Sequence, residues 1–321
     1  MKNTVIKLVV ILAVVVGCIL LFYNKNSDSG KYKIGIMQPV EHEALDQARL
    51  GFIDGLKEAG YIDGENIEID YKNANGDQAN NNTIADTFAS QKDLILAIAT
   101  PSAEAAANKI KDIPILFTAV TDPVSVGLVK SVDNVGGNIS GTSDRVYVSE
   151  QIDILLDTKP TIKTIGLLYS SAENNSVLLI NEAKEYLKSK NIAYKDMSVQ
   201  NANDVLQVLQ NAVGDINAIY IPTDNTIATA MPTVAKVALE NNLPVVPGAA
   251  EMAKDGCIGT IGVSYYDLGK QTAKMAVSIL KKEKKVSELS VEYPANKVVK
   301  INEDVIKKIG LILPEKYKEK N

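Results

Sequence analysis

A short apolar run that ends in Thr-Pro-Ser constrains the fold more than any other stretch of this sequence. Residues 94–99 are all apolar, Thr100, Pro101 and Ser102 follow, and the next eight residues are rich in alanine. The run is too short for a helix and too continuous for a half-exposed strand, so it predicts a strand that is buried on both faces. Thr100 is a favourable N-cap and Pro101 suits the first helical position, which together predict a helix directly after the strand.

A strand that leads into a helix N-terminus creates a local site for a negative group. The first backbone N–H groups of the helix have no partner within it, and the helix dipole adds positive partial charge there. A carboxylate fits such a position. Taken alone, Thr100 and Ser102 are more simply interpreted as caps of their own helix, because caps far outnumber ligand sites. The ligand interpretation is favoured here because the same arrangement recurs along the chain.

The alternation of strands and helices runs through the sequence twice and predicts the fold class. One series extends from residue 32 to 120, and a second from 151 to 308. Between them lies a glycine-rich segment, 135–143, which has no helical period and is therefore predicted to be a crossing segment. We also expect a helix after Thr121, where Asp122 would cap and a proline follows, and one continuous helix over 227–240. Such alternation gives α/β lobes with doubly wound parallel sheets, whose ligands bind beyond the carboxyl ends of the strands.

Composition excludes several classes of function. At 321 residues the chain is long enough for two domains, its net charge is −5, and no basic patch for nucleic acid is present apart from residues 281–285. The one histidine and two cysteines give no spacing that is typical of a zinc site. The sequence has no phosphate loop, no dinucleotide fingerprint and no nucleophile elbow. We therefore expect no cofactor, no metal and no catalytic residues.

The N-terminus is typical of an export signal. Lys2 and Lys7 precede an apolar run of 16 residues, 8–23, in which Val-Val-Gly-Cys18 resembles a lipobox. Cys18 is thus a candidate lipid anchor, followed by a tether that ends at residue 30. An uncleaved membrane anchor is the alternative, since residues 19–23 stay apolar, although the run is slightly short for a span. Either way we expect the body to lie outside the cytoplasmic membrane.

The loops at the predicted strand ends suit a zwitterion. Its carboxylate would lie on Thr100 and Ser102, or on Ser171 and Ser176. Its ammonium would lie against Asp224 or Asp122. We favour Asp224, because Thr223 or Thr226 could cap the following helix and leave that carboxylate free, whereas Asp122 precedes a proline as an N-cap does. An exported hydrolase that uses either aspartate is a rival interpretation, but no nucleophile lies beside a base.

Seven short motifs of this sequence resemble those of one known protein family and occur along the chain in the same order. They span residues 32 to about 314 and are Gly35-Ile36-Met37-Gln38 with His42 and Leu45-Asp46, Gly76-Asp77-Gln78, Ala99-Thr100-Pro101, Thr121-Asp122-Pro123, Leu168-Tyr169-Ser170-Ser171 with Asn175-Ser176, Asp224-Asn225-Thr226 with Pro232, and Asp267-Leu268-Gly269. The chain is thereby similar to the bacterial ABC-transporter substrate-binding proteins of the tryptophan/tyrosine type. It departs from them at Glu43, where the family often has proline, and this bears on side-chain selectivity.

The resemblance implies a periplasmic-binding fold of type I and a receptor function. The receptor would be monomeric, lipid-anchored at the outer face of the cytoplasmic membrane, and would deliver an aromatic amino acid to an ABC permease with its ATPase. Lobe one would be 31–142 plus 265–290, and lobe two 143–264 plus 291–321, after a signal and tether segment, 1–30. A sensor ectodomain, or a receptor for a branched amino acid or a purine-like ring, stays open. The candidate ligand-binding residues are Gln38, His42, Thr100, Pro101, Ser102, Thr121, Asp122, Ser171, Asn175, Ser176, Asp224, Asn225 and Thr226.

Overall fold

The computed structural model describes residues 30–254 and 256–318. The predicted export segment and its candidate lipid anchor, Cys18, lie outside the described residues. Within the described part of the chain, no helix is long and apolar enough to cross a membrane.

The first lobe is built on a five-stranded sheet whose neighbouring strands all run parallel, in the order β2-β1-β3-β4-β5. Because the order reverses after β1, helices lie on both faces, which is the doubly wound arrangement that the sequence predicts. The strands are β1 Tyr32–Gln38, β2 Ile67–Asn73, β3 Leu94–Ile98, β4 Ile115–Thr118 and β5 Ile139–Gly141. The helices between them are α1 Glu43–Glu58, α2 Gln78–Phe88 and α3 Ala99–Lys109.

The second lobe repeats the pattern with a four-stranded parallel sheet in the order β7-β6-β8-β9. A two-stranded antiparallel ribbon, β10-β11, completes this part of the chain. The strands are β6 Thr164–Ser170, β7 Ala193–Val199, β8 Ala218–Ile221, β9 Val245–Pro247, β10 Gly259–Gly262 and β11 Val298–Ile301. The helices that follow β5 along the chain are α4 Val148–Thr158, α5 Asn174–Ser189, α6 Val205–Gln210, α7 Asn225–Thr229, α8 Met231–Glu240, α9 Tyr265–Leu280 and α10 Glu303–Lys308.

The strand that the apolar run predicts is confirmed. All five residues of β3 are buried, and its neighbours β1 and β4 pair with it in parallel. The helix begins at Ala99, so Thr100 is its second residue and not the N-cap. Its N-cap position, Ile98, makes no side-chain cap.

Two other local predictions are wrong. The segment after Thr121 forms turns and no helix, and Gly127, with φ of 74°, terminates them. The glycine-rich segment has no helix, and it contains β5, a strand that was not predicted, where Gly141 is required because a Cβ there would lie 2.0 Å from the carbonyl oxygen of Phe117. The helix predicted over 227–240 is two helices that meet at Ala230, and Pro232, at the start of α8, has no N–H to continue the first.

Helix α9 returns to pack on α1 of the first lobe. The two backbones approach so closely that a Cβ on Gly269 would lie 2.0 Å from the carbonyl oxygen of Ala48. Between the lobes, Ser143 N donates to Glu292 O at 2.9 Å, so two crossing segments lie side by side. The exact lobe boundaries stay a prediction, but the sheets and α9 place the strand ends of the two lobes opposite each other.

Candidate functional site

The first lobe presents strained backbone where β3 and β4 end. Ala99 has φ of 66° and Ala119 has φ of 59°, both in the left-handed region that alanine rarely adopts. Each residue follows its strand directly and is buried. Strained positions of this kind cluster at ligand sites because the surrounding structure must hold them.

The two lobes contact each other through polar side chains from these strand ends. His42 Nε2 lies 3.2 Å from Asn225 Oδ1, and the hydroxyls of Thr121 and Thr223 lie 3.2 Å apart. At the rim, an ion pair joins Lys254 to Glu43, the residue at which the sequence departs from the resembling family. The lobes are therefore in direct contact across the cleft.

A small enclosed space lies at the centre of this contact. Its volume is about 10 Å³, close to that of a single water. Both lobes contribute to its lining, which consists of His42, Ala44, Leu45, Ala119, Thr121, Asp144, Asn175, Thr223, Asp224, Asn225, Ala249, Met252 and Tyr265. Two acceptor atoms of lining residues, Asn175 Oδ1 and Asp144 Oδ1, are buried and have no hydrogen-bond partner. Buried acceptors without a donor are costly, so the space is matched to a group that donates hydrogen bonds.

Asp144 is held by the start of α9. Its Oδ2 accepts a 2.6 Å hydrogen bond from Tyr265 OH, while its backbone follows the crossing segment after β5. Burial raises the pKa of the Asp144 carboxyl, although the bond from Tyr265 opposes the shift. A cation placed against its free oxygen would offset the cost of burying this charge.

Asp224 is the N-cap of α7, which corrects the prediction that Thr223 or Thr226 caps this helix. Its Oδ1 accepts from Ile227 N at 2.7 Å, and its Oδ2 accepts from Ser170 N at 2.6 Å. Burial and the nearby Glu173 carboxylate raise the pKa of Asp224 to about 7. The carboxylate is therefore not free, although it lines the enclosed space.

Glu173 organises the loop that faces this aspartate. Its Oε1 accepts from Thr226 N and from Thr226 Oγ1, both at 2.8 Å, and its Oε2 accepts from Asn225 Nδ2 at 2.6 Å. The bonds to Asn225 orient the amide that meets His42. Burial lowers the pKa of His42, so its imidazole is neutral near pH 7.

An apolar cavity adjoins the enclosed space through the shared residues His42, Ala44 and Met252. Its volume is about 370 Å³, within the range of about 300–1,000 Å³ that is typical of small-molecule pockets. The remaining lining comes mainly from α7, α8 and the turn after β9, and consists of Glu43, Ala228, Met231, Pro232, Ala235, Glu251 and Lys254.

A second cavity, of about 490 Å³, lies on the other side of Asn225 and is polar. Its lining includes the carboxylates of Asp77, Glu104 and Glu173, besides several amide side chains. It shares only Asn225 with the residues around the enclosed space. Glu104 and Asn174 join the lobes beside it with a 2.8 Å hydrogen bond.

Five of the predicted site residues meet at the enclosed space: His42, Thr121, Asn175, Asp224 and Asn225. Pro101 and Thr226 instead line the polar cavity. The remaining six do not line any of the three spaces described here.

Each of those six has another role or position. Ser102 Oγ donates to Asn81 Oδ1 within the first lobe, and Gln38 Nε2 donates to Val40 O. Asp122 Oδ1 accepts from Ser125 N at 2.9 Å, as an N-cap would, although turns and no helix follow, and its Oδ2 accepts from Arg145 Nη1 at 3.1 Å. Ser171 is exposed, whereas Thr100 and Ser176 are buried, Ser176 beside the Asp224 carboxylate. The ligand carboxylate was predicted to lie on Thr100 and Ser102 or on Ser171 and Ser176. None of these four residues lines the enclosed space.

Several residues around the two adjoining spaces are not among the predicted site residues, and those with polar side-chain atoms include Asp144, Thr223, Glu251 and Tyr265. Of these four, only Tyr265 could have been located from the sequence, because it follows Ser264, a residue type that favours helix N-caps. Ser264 does cap α9, accepting from Asp267 N. In the described residues, no group of histidine, cysteine and acidic side chains is arranged to hold a metal.

Comparison with known proteins identifies close relatives. Residues 33–320 match the model of the family described as ABC transporter substrate binding protein. The chain is 41% identical over 290 residues to a tyrosine-binding protein of Clostridioides difficile, an alignment that covers 90% of this chain and 84% of the relative.

Two solved structures add information about the arrangement of the lobes. A Streptococcus pneumoniae domain in complex with L-Trp has a TM-score of 0.84 at 34% identity, over 90% of this chain and 97% of that one. A ligand-free, open substrate-binding protein with adhesive properties from Clostridium difficile has a TM-score of only 0.67 at 44% identity, over 88% of this chain and 96% of that one. The relative position of the two lobes is thus closer to that in the Trp complex than to that in the open protein, although the sequence identity to the Trp complex is lower.

Proposed function

This chain belongs to the ABC transporter substrate-binding proteins, and we propose that it binds an aromatic L-amino acid between its lobes and delivers it to a permease. The family consists of extracytoplasmic binding proteins, and the named relatives bind tyrosine or hold L-Trp. The observation that carries the proposal for this chain is the pair of unpartnered acceptors, Asn175 Oδ1 and Asp144 Oδ1, in the enclosed space.

The ammonium of the ligand donates to these two oxygens. An ammonium has three N–H donors, and Asp224 is the third acceptor side chain that lines the space. Charge-assisted bonds of this kind are stronger than neutral ones, and they are stronger still in a site without water. Asp144 replaces Asp224 as the main ammonium partner, because both Asp224 oxygens already accept from backbone N–H groups.

The carboxylate of the ligand accepts from the hydroxyls of Thr121 and Thr223 and from the imidazole of His42. In the direct contact between the lobes, the two hydroxyls bond to each other and His42 bonds to Asn225. A carboxylate that enters between them exchanges these bonds for bonds to itself. The same side chains then connect the lobes through the ligand.

The aromatic side chain lies in the apolar cavity. That cavity continues from the enclosed space past His42 and the apolar side chains of Ala44 and Met252. The polar cavity suits a ring less well, because burying carboxylates and amides against an apolar surface leaves them without water. A side chain of the size of tyrosine or tryptophan fits within about 370 Å³.

Binding requires the lobes to open and close. A space of about 10 Å³ cannot take an amino-acid head group, so the lobes separate to admit it and close again on it. The crossing segments beside Ser143 and Glu292 are where such a hinge rotates. Lobe one as 31–142 plus 265–290, and lobe two as the remainder of the body, is the proposed division.

Anchoring through a lipid on Cys18, at the outer face of the cytoplasmic membrane, is part of the proposal. An anchored receptor stays near its permease and ATPase. Mass spectrometry of the protein from cells should find a lipidated Cys18 as the first residue. An N-terminus that retains Met1 would instead favour an uncleaved anchor.

A thermal-shift screen of the twenty L-amino acids tests the ligand class. A ligand at about 100 times its Kd stabilises the folded protein by about 2.7 kcal/mol. We expect the largest shifts with tyrosine, tryptophan and phenylalanine. Equal shifts for all amino acids, or a maximum with a branched or acidic side chain, would contradict the aromatic assignment.

A further inference from the structure

One of the residues that line the apolar cavity has a buried carboxylate oxygen that makes no hydrogen bond. Glu251 follows β9 and lines this cavity, and its Oε2 is buried and has no partner. Its other oxygen, Oε1, accepts a long 3.4 Å bond from Tyr265 N, which holds the carboxyl group at the base of α9. Most of the surrounding lining is apolar, with Ala228, Met231 and Met252 among it.

Neighbouring cations do not satisfy this oxygen. Lys254 lines the same cavity, but its Nζ is in an ion pair with Glu43 of the opposite lobe. Lys300 Nζ donates to the carbonyl oxygen of Ala250 at 3.3 Å. Burial raises the pKa of Glu251, although the backbone N–H groups of Glu251 and Tyr265 and the charge of Lys300 oppose the shift.

We propose that Glu251 selects ligands whose aromatic ring carries a hydrogen-bond donor, with its Oε2 accepting the phenol O–H of tyrosine. This assignment rests on the proposed function, which places the ring in the apolar cavity. The carboxyl accepts such a bond whether it is ionised or protonated, because Oε2 or Oε1 retains a lone pair in either form. Phenylalanine fills the same volume without a donor and leaves Oε2 unpaired.

The cost of that unpaired oxygen sets the selectivity. A site that is built to hydrogen-bond a substrate hydroxyl rejects the analogue without it strongly, because the buried acceptor then has neither water nor ligand. An apolar pocket without Glu251 would discriminate little between the two rings. The indole N–H of tryptophan is a second donor of the same kind.

Calorimetric titration with L-tyrosine and L-phenylalanine tests the assignment, because the two ligands share the same head group. The wild-type protein should bind tyrosine at least tenfold more tightly than phenylalanine. Glu251→Leu should reduce the ratio of the two Kd values to about two or less, by weakening tyrosine and leaving phenylalanine unchanged or tighter. Glu251→Gln keeps an acceptor oxygen and should retain part of the preference.

The outcomes separate this inference from the function on which it rests. Glu240→Leu makes the same chemical change at an exposed helix end and should leave both affinities unchanged. A wild-type ratio near one, or a ratio that Glu251→Leu does not alter, would overturn the role of Glu251. Equal weakening of both ligands would assign Glu251 to folding or to the head group and would also overturn it. Binding of neither ligand to the wild-type protein would contradict the proposed function itself.

Discussion

The hydroxyl oxygens of Thr121 and Thr223 lie 3.2 Å apart although they belong to opposite lobes. Thr121 follows β4 of the first sheet, and Thr223 follows β8 of the second. This pair of side chains thus joins the carboxyl ends of two parallel sheets, beside the contact of His42 with Asn225. Around this pair lie the two unpartnered acceptors of the enclosed space, so the same position serves lobe contact and ligand binding.

Replacing either threonine by valine should weaken amino-acid binding while keeping the shape of the side chain. Each hydroxyl donates to the ligand carboxylate, and a hydrogen bond to a charged group is worth about 1.5–3 kcal/mol. We expect each variant to lose at least tenfold in affinity by calorimetry. Thr87→Val, on the exposed face of α2, is the matched control. Wild-type affinity in both cleft variants would exclude these hydroxyls from the site.

Asp144→Asn should weaken binding more than the same change at Asp224. Removing the charge leaves the ligand ammonium buried and unpaired, which costs on the order of 2–5 kcal/mol. A loss of at least tenfold corresponds to about 1.4 kcal/mol and is readily measured by titration. Asp86→Asn changes an exposed aspartate of α2 and should bind normally. If Asp144→Asn bound as well as Asp86→Asn, the ammonium would lie elsewhere.

Asp224→Asn should destabilise the fold as well as the complex. The amide can accept only one of the two backbone N–H bonds that the carboxylate accepts from Ser170 and Ile227. Its NH₂ group then faces a second donor, and a buried donor without an acceptor costs about 1–3 kcal/mol. Chemical denaturation without ligand should show this loss, which is absent from Asp86→Asn. An unchanged free energy of unfolding would contradict the capping role.

Binding should strengthen as pH rises from about 6 to 8. The pKa of Asp224 is raised to about 7 from an ordinary 3.8. The protonated carboxyl therefore adds to the free energy of unfolding of the ligand-free protein. This contribution is complete below about pH 4 and is lost as pH rises through 7. A ligand ammonium favours the ionised carboxylate, so binding below pH 7 releases protons. The pKa of His42 lies below its usual 6.5, which keeps this imidazole neutral through most of the window.

Two measurements test the predicted release of protons on binding. The ligand-induced rise in Tm should be larger at pH 8 than at pH 6, and calorimetry in buffers of different ionisation enthalpy should detect proton release at pH 6.5. Proton uptake on binding at this pH would mean that protonation of His42, and not ionisation of Asp224, accompanies the ligand.

Much of the fold was predictable from local pattern. A short, continuous apolar run such as β3 is typical of a strand that is buried on both faces. The alternation of such strands with helices then predicts that both sheets are parallel. Prediction failed where the conformation of one segment depends on contacts with a distant segment or on the local course of the preceding helix. Gly141 reveals β5 only through its contact with Phe117, and Pro232 reveals the break before α8 only once α7 is known to exist.

The site was predicted by region and missed in its details. The strand-end loops contain His42, Thr121, Asn175 and Asp224, which do meet. Which carboxylate is free depends on backbone donors from distant segments, and Ser170 N, 54 residues from Asp224, cannot be located by a sequence motif. Asp144 and Glu251 were missed for the same reason. Their importance lies in oxygens that lack a partner, which only the packed structure reveals.

Calorimetric titration of the wild-type protein with L-tyrosine and L-tryptophan, beside their N-acetyl derivatives, tests the central claim most directly. The derivatives keep the ring and the carboxylate but replace the ammonium by a neutral amide. If Asn175 and Asp144 hold the ammonium between closed lobes, the free amino acids bind and each derivative loses at least tenfold in affinity. Equal affinity for the free and acetylated forms, or no binding of either aromatic amino acid, would contradict the account.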